Sequence, residues 1–158
     1  MKYGFVKVAA ASPQLKVADV KFNTLKIEEE IARQTKAGTE ILVFPELSLC
    51  GYTCGDLFFS DCLLGAVEPA LAQIVEASKG LYPVTAVGLP LRFGGKLYNC
   101  AAVIHAGQLL GVVPKTHLPN YGEFYEPFFQ KGAGCFAKAA DGAVDRVHAC
   151  AADGGGGG

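Results

Sequence analysis

Charge is scarce in this chain, and neither sign is in excess. Charged residues make up 18% of the 158 positions, with 14 Lys and Arg against 15 Asp and Glu and a net charge of −1. A nucleic-acid binder carries a basic patch or surplus, and a polybasic membrane anchor carries clustered Lys and Arg. The composition argues against both. Long hydrophobic runs are missing too. No segment approaches the roughly 20 apolar residues that cross a bilayer. The most apolar stretch, 100–113, is broken by His105, Gly107 and Gln108. An export signal is not apparent either, because Lys7 stands inside the first apolar run.

What is plentiful is apolar side chain, at 51% of the residues. High apolar content with low charge excludes disorder for most of the chain. The length suits a single domain, able to bury about two-thirds of the surface its unfolded form exposes. The six cysteines are irregularly spaced, without an export signal, and read as reduced thiols of a cytoplasmic protein rather than as a disulfide scaffold. Cys50, Cys54, Cys62 and Cys100 lie in or beside apolar runs, where a free thiol behaves as a small hydrophobe. Cys50 and Cys54 lack the second Cys pair or His pair that would complete a zinc site.

Along the chain, residues 3–10 and 41–44 are short apolar runs expected to be strands buried on both faces. Between them Asp19 is an N-cap, and Val20, Thr24, Ile27 and Ile31 share one face at helical spacing. Gly38 closes that helix. A loop rich in Gly, Tyr, Cys and Asp covers 48–57. A second helix is expected over 60–78, with Leu63, Val67, Leu71, Ile74 and Ser78 inward and a kink or restart at Pro69. Residues 83–90, 97–104 and 109–113 read as strands, with turns at Gly94-Gly95 and at Ala106-Gly107-Gln108. This is an α/β alternation opening into an antiparallel meander. The last 26 residues differ, with eight Ala and seven Gly among them. We therefore divide the chain into 1–132, a folded unit, and 133–158, a poorly ordered tail with at most a short helix near 143–150.

Two stretches carry chemistry. Phe44-Pro45-Glu46-Leu47 places a carboxylate just past a buried strand, where open α/β sheets bind ligands. Between apolar neighbours Glu46 would be desolvated, with a raised pKa suited to a general base; a surface or capping carboxylate fits the same spacing. Residues 114–126 follow another strand with Lys115. Two prolines, a glycine and three aromatics then make a rigid loop presenting Tyr121, Glu123 and Glu126. His117 reads as a structural or rim residue in preference to a base.

The set Phe44-Pro45-Glu46-Leu47, Gly51-Tyr52, Lys115 and Gly122-Glu123 resembles the nitrilase, or carbon–nitrogen hydrolase, superfamily. The fuller strings at 47–58 and 114–126 narrow the resemblance to the N-terminal glutaminase domains of glutamine-dependent NAD synthetases. It runs from about residue 3 to about residue 131. The resemblance implies an α-β-β-α sandwich and a Glu-Lys-Cys triad. Glu46 would match the general base, Lys115 the stabiliser of the oxyanion, and Glu123 the supporting second glutamate. Tyr121 and Phe124 would line the glutamine pocket. It further implies a thioester intermediate, no cofactor in the amidase step, ATP and Mg in a C-terminal synthetase domain, and a homo-oligomer.

The expected nucleophile is another matter. The family's cysteine lies downstream of the lysine in a string like Ile-Cys-Glu-Asp, which this chain lacks. Cys135 and Cys150 are the remaining candidates, and neither has a buried strand before it or acidic neighbours. The sequence reading is therefore an incomplete sandwich, truncated or frame-shifted after about residue 132, inactive by itself, with unpaired edges that favour association. A stand-alone amidase and a non-catalytic, partner-binding fragment are the alternatives.

Overall fold

The computed structural model describes residues 4–119 and 126–132, together with the backbone of 135, 136, 147 and 148. Strand β1 (Val8–Ala10) leads into helix α1 (Val20–Lys36), strand β2 (Ile41–Val43), a 3-10 turn (Gly55–Phe59) and helix α2 (Asp61–Ala77). Strands β3 (Val84–Phe93), β4 (Lys96–His105) and β5 (Gln108–Pro114) follow, and then two-residue strands β6 (Cys135–Phe136) and β7 (Val147–His148). All seven lie in one sheet in sequential order. The β1–β2 and β2–β3 pairs are parallel and the rest antiparallel.

The helices form where capping and periodicity require them. Asp19 caps α1 by accepting from the Phe22 amide at 3.0 Å, and Gly38 takes a φ of +75° just past its end. The buried side of α1 includes Val20, Thr24, Ile27 and Ile31, as their spacing predicts, and adds Asn23. Asn23 is fully buried yet satisfied: its side chain bonds both polar groups of the Lys16 backbone at 2.8 Å and the Leu49 carbonyl at 3.2 Å. Ser60 caps α2, whose buried residues are Leu63, Leu64, Val67, Ala70, Leu71 and Ile74. The helix continues through Pro69 as one element, without the restart that was one of the two outcomes expected there.

The expectation that β1 and β2 are buried on both faces is corrected by the structure. Leu42 is fully buried, but its neighbours Ile41 and Val43 are 40% and 46% exposed, and Val8 is 66% exposed. Register explains this. Residues paired across a ladder share a face, and Val8 pairs with Ile41, Val43 with Ala86, Ala86 with Val103, and Ala101 with Val113. Those residues form one apolar face away from the helices. Leu42, Thr85, Val87, Ala102, Ile104 and Val112 form the opposite face and are buried, with α1 and α2 packed together and α2 against β3. The described residues thus supply one helix layer and one sheet.

Strand β3 runs past its predicted end and through Pro90. It pairs with β2 only over Val84–Ala86, so at Pro90 one side of the strand has no ladder to lose. Residues 147–148 pair with β6 as a strand, which corrects the short helix expected there. Apart from β6 and β7, the Ala/Gly tail lies outside the described residues. Cys62, expected among the buried thiols, is exposed because it precedes the inward Leu63 by one residue. No helix among the described residues is long and apolar enough to cross a membrane.

The open apolar face predicts association. Sedimentation velocity should show oligomers growing with concentration. Ile41→Lys should reduce them while changing unfolding free energy by less than about 0.5 kcal/mol, as for exposed substitutions generally.

Candidate active site

Two reversals of direction, β3 to β4 and β4 to β5, leave β5 parallel to β2. The carboxyl ends of β2 and β5 therefore reach the same edge of the sheet. Glu46 follows β2 by three residues and Lys115 follows β5 directly. The ladder carries on one step beyond β5, with the Lys115 amide donating to the Asn99 carbonyl at 2.7 Å. This fixes the lysine backbone beside Asn99 of β4.

The turn holding Glu46 is tightly constrained. Leu47 has a φ of +52°, in the left-handed region that a branched side chain disfavours. Gly88 of β3 lies underneath. A Cβ there would come within 2.4 Å of the Leu47 amide nitrogen and 2.5 Å of the Pro45 carbonyl. The turn is stitched to the same glycine: the Leu49 amide donates to the Gly88 carbonyl at 3.0 Å, and the Gly88 amide donates to Ser48 Oγ at 3.3 Å. Only glycine permits this approach, and sequence reading passed over it as one strand glycine among others.

Lys115 Nζ donates to Glu46 Oε1 at 2.7 Å and to Glu126 Oε1 at 2.8 Å. Asn99 Nδ2 donates to the same Glu46 oxygen. Among the described residues no hydrogen bond reaches Glu46 Oε2, so one oxygen is anchored and the other is available to accept a proton. Glu126 is 2% exposed. Tyr52 donates to its Oε1 at 3.1 Å. Its segment is clamped by aromatic contacts, Phe129 to Phe58 at 5.0 Å and Phe128 to Phe59 at 5.5 Å. Gly132 then bonds back to the Lys115 carbonyl at 3.1 Å.

Burial pulls the Lys115 ammonium down in pKa, but its hydrogen bonds to Glu126 and Glu46 and their charges outweigh this and leave it raised. It is therefore a fixed cation at neutral pH. Because the folded pKa lies above the unfolded one, the pairing stabilises the fold fully below the ordinary lysine range of about 10.4 and is lost as pH rises through the folded value. Tyr52 is likewise raised, by burial first and then by the Glu126 carboxylate.

Glu46, Asn99, Cys100, Pro114 and Lys115 line one side of an open cavity of about 340 Å³. Cys100 is the one described cysteine on it. Burial pushes that thiol up to about 12, so it is protonated at neutral pH and is a poor nucleophile. Among the described residues no cluster of His, Cys, Asp or Glu could hold a metal ion. His117 is exposed and makes no side-chain hydrogen bond with the described residues.

The structure thus brings together Glu46 and Lys115, the two residues that sequence reading paired. Tyr121, Glu123, Phe124 and Cys150 lie outside the described residues, and of Cys135 only the backbone is described. Among the described residues the second carboxylate on Lys115 is that of Glu126, presented on the loop in the sequence without this role. Asn99 was missed altogether. Its signal was available only as a polar residue inside the apolar run of β4.

A cation held between two carboxylates at the edge of an α/β sheet is the arrangement against which the comparisons are set. The carbon–nitrogen hydrolase family matches residues 7–149, and the chain belongs to that family. Within it, the chain is 45% identical over 125 residues to the glutamine-dependent NAD(+) synthetase of Mycobacterium tuberculosis, a match covering 79% of this chain and 18% of the relative. The solved structure of the glutamine-dependent NAD+ synthetase from Acinetobacter baumannii superposes with a TM-score of 0.74 at 38% identity, over 80% of this chain and 24% of that one. An amidase from Nesterenkonia sp. shares the fold, with a TM-score of 0.65 at 21% identity over 80% of this chain and 48% of that one. The chain spans about a fifth of the length of its synthetase relatives.

Two outcomes are expected of this geometry. Gly88→Ala should destabilise the fold by about 1–3 kcal/mol, the usual cost of overpacking, whereas Gly65→Ala, on an open helix surface, should stabilise it by up to about 1 kcal/mol; urea denaturation compares them. In Glu126→Gln, side-chain NMR titration should show both the Lys115 and the Tyr52 pKa values falling. An unchanged Lys115 would mean that Glu126 does not set its charge.

Proposed function

We propose that this chain is the N-terminal part of the ammonia-supplying glutaminase unit of a glutamine-dependent NAD synthetase. The observation that carries the reading is the Lys115 ammonium, fixed between Glu46 and Glu126 beside the cavity, in a chain with 45% identity to a synthetase of that name. In the reaction a cysteine thiol attacks the carboxamide carbon of glutamine. Glu46 Oε2 takes the thiol proton and delivers it to the departing nitrogen, while Lys115 offsets charge on the carbonyl oxygen as the tetrahedral intermediate forms. The resulting thioester is opened by water, which gives its proton to Glu46, and glutamate leaves. Asn99 holds the anchored oxygen of Glu46 throughout. The released ammonia would serve a synthetase domain, where ATP and Mg act; the amidase step itself needs no cofactor. The parent assembles as a homo-oligomer.

No described cysteine suits the role of nucleophile, so the isolated chain is expected to release no ammonia from glutamine above background. Ammonia release abolished by Cys135→Ala or Cys150→Ala would overturn that. The second reading, a stand-alone amidase, has in its favour the fold shared with the Nesterenkonia amidase.

A chimera tests the assignment. Residues 7–131 of this chain replace the matching segment of the M. tuberculosis relative, and NAD formation from an ammonium salt reports that the chimera is folded. Glutamine should then support NAD formation as well, and Glu46→Gln or Lys115→Met should lower that rate by at least about 100-fold while leaving the ammonium-supported rate intact. A chimera that uses ammonium but not glutamine would reject the reading.

A further inference from the structure

Beneath the loop that follows the Glu46 turn lie two thiols that the proposed amide chemistry does not use. Cys50 and Cys54 are both buried and free. Their sulfurs converge on one acceptor, the Gly51 carbonyl, at 3.5 Å from Cys50 and 3.3 Å from Cys54. Cys54 Sγ also reaches the Cys50 carbonyl at 3.1 Å, so the second cysteine is folded back over the backbone of the first. Each thiol alters the acidity of the other. Residue exposure separates them: Cys50 has none and Cys54 has 5%. The loop is held from outside by the Ala18 amide, which donates to the Cys50 carbonyl at 2.7 Å. A metal is a poor occupant for the pair, because no third ligand joins them among the described residues.

We propose that Cys50 and Cys54 form a peroxide-sensitive dithiol, closing to a disulfide within the 50–54 loop. The co-reactant is a hydroperoxide. The Cys54 sulfur attacks the peroxide oxygen and breaks the O–O bond, giving a sulfenic acid and, after one proton transfer, water or alcohol. The Cys50 sulfur then attacks the sulfenic sulfur; the S–S bond forms, its own proton is lost, and the hydroxyl leaves as a second water. Two thiols are oxidised by two electrons in total, and the hydroperoxide is reduced by two. The order of attack follows from the environment. The Cys50 hydrogen bond to the Cys54 sulfur lowers the Cys54 thiol to about 7, against the opposing effect of burial and with the help of the Ala18 amide. The same hydrogen bond and burial raise Cys50. The thiol with residual exposure is thus also the more acidic one, which is the partner a peroxide meets first.

The loop connects this pair to the candidate active site. Tyr52 lies between the two cysteines and donates to Glu126 Oε1, the oxygen that also receives Lys115. Drawing the two sulfurs to bonding distance, about 2.05 Å, shortens the span on which Tyr52 sits. The consequence is a weakened Tyr52–Glu126 bond in the oxidised form.

Peptide mapping of the whole chain decides the matter. In a Cys62→Ser background, trypsin releases residues 37–79 as one peptide in which Cys50 and Cys54 are the only cysteines. After hydrogen peroxide treatment under native conditions, that peptide should lose two hydrogens and both alkylatable thiols, and dithiothreitol should restore them. Two retained thiols, a sulfinic acid on one cysteine alone, or a crosslink to Cys100, Cys135 or Cys150 would each overturn the dithiol. The coupling has its own readout: the ring resonances of Tyr52, assigned with Tyr52→Phe, and the Lys115 Nζ resonance should shift together on oxidation. A disulfide that forms with both unmoved would overturn the link to the site.

Discussion

One ammonium group holds the candidate site together. Lys115 lies within 2.8 Å of oxygens from two carboxylates that arrive from different parts of the chain, Glu46 after β2 and Glu126 beyond β5. Without the cation, two like charges would share a partly enclosed space, and one of them, Glu126, is almost fully buried. Leaving such a carboxylate unpaired costs about 3–5 kcal/mol, comparable with the whole stability of a marginal domain. The site is therefore a fold constraint as well as a functional one. The 126–132 segment is tied down partly by this charge and partly by the Phe58, Phe128 and Phe129 contacts.

That constraint depends on sheet direction. A parallel β2–β3 pair followed by two hairpins returns β5 to the heading of β2, so both chain exits face one way. The turns making this possible are short and left-handed: Gly94 and Gly95 at φ of +56° and +73°, Ala106 and Gly107 at +48° and +81°. Those pairs have the backbone that matches strand twist in a two-residue hairpin. Direction alone does not bring Glu46 within reach of Lys115, however. The close seat of the Leu47 turn on Gly88 does that, by letting one backbone lie directly on another.

Elements governed by local chemistry were legible in the sequence. The Asp19 cap, the inward faces of both helices and both hairpin turns follow from spacing and turn residues alone. Glu46 and Lys115 were legible because each follows an apolar run that had to be a strand. What escaped was set by tertiary contact. The runs at 3–10 and 41–44 look doubly buried because both faces are apolar, yet which face the helices cover is decided by packing. A restart at Pro69 does not occur, because α2 runs unbroken from Asp61 to Ala77 with its inward residues packed on both sides of the proline. Asn99 carries no local signal of a role, because its partner Glu46 comes from a distant turn. Glu126 follows Glu123 by three residues in the sequence, and that spacing alone does not mark Glu126 as a partner of the lysine.

The described thiols show what a nucleophile for this site would require. Cys100 borders the cavity through its strand, but its side chain lies with Ala102 on the helix-covered face, where its environment supplies only desolvation, which moves it to about 12. Cys54 lies away from that cavity and comes down to about 7 because a hydrogen-bond donor faces its sulfur. A thiol becomes reactive where a donor or a cation is directed at its sulfur. At this site the available cation is already shared by two carboxylates, and the unbonded oxygen is Glu46 Oε2. In the proposed reaction a competent cysteine would therefore approach from the side of that oxygen, where Glu46 would take its proton. The same approach would leave the Lys115 charge for the substrate oxygen, the division of labour on which amide hydrolysis by a thiol rests.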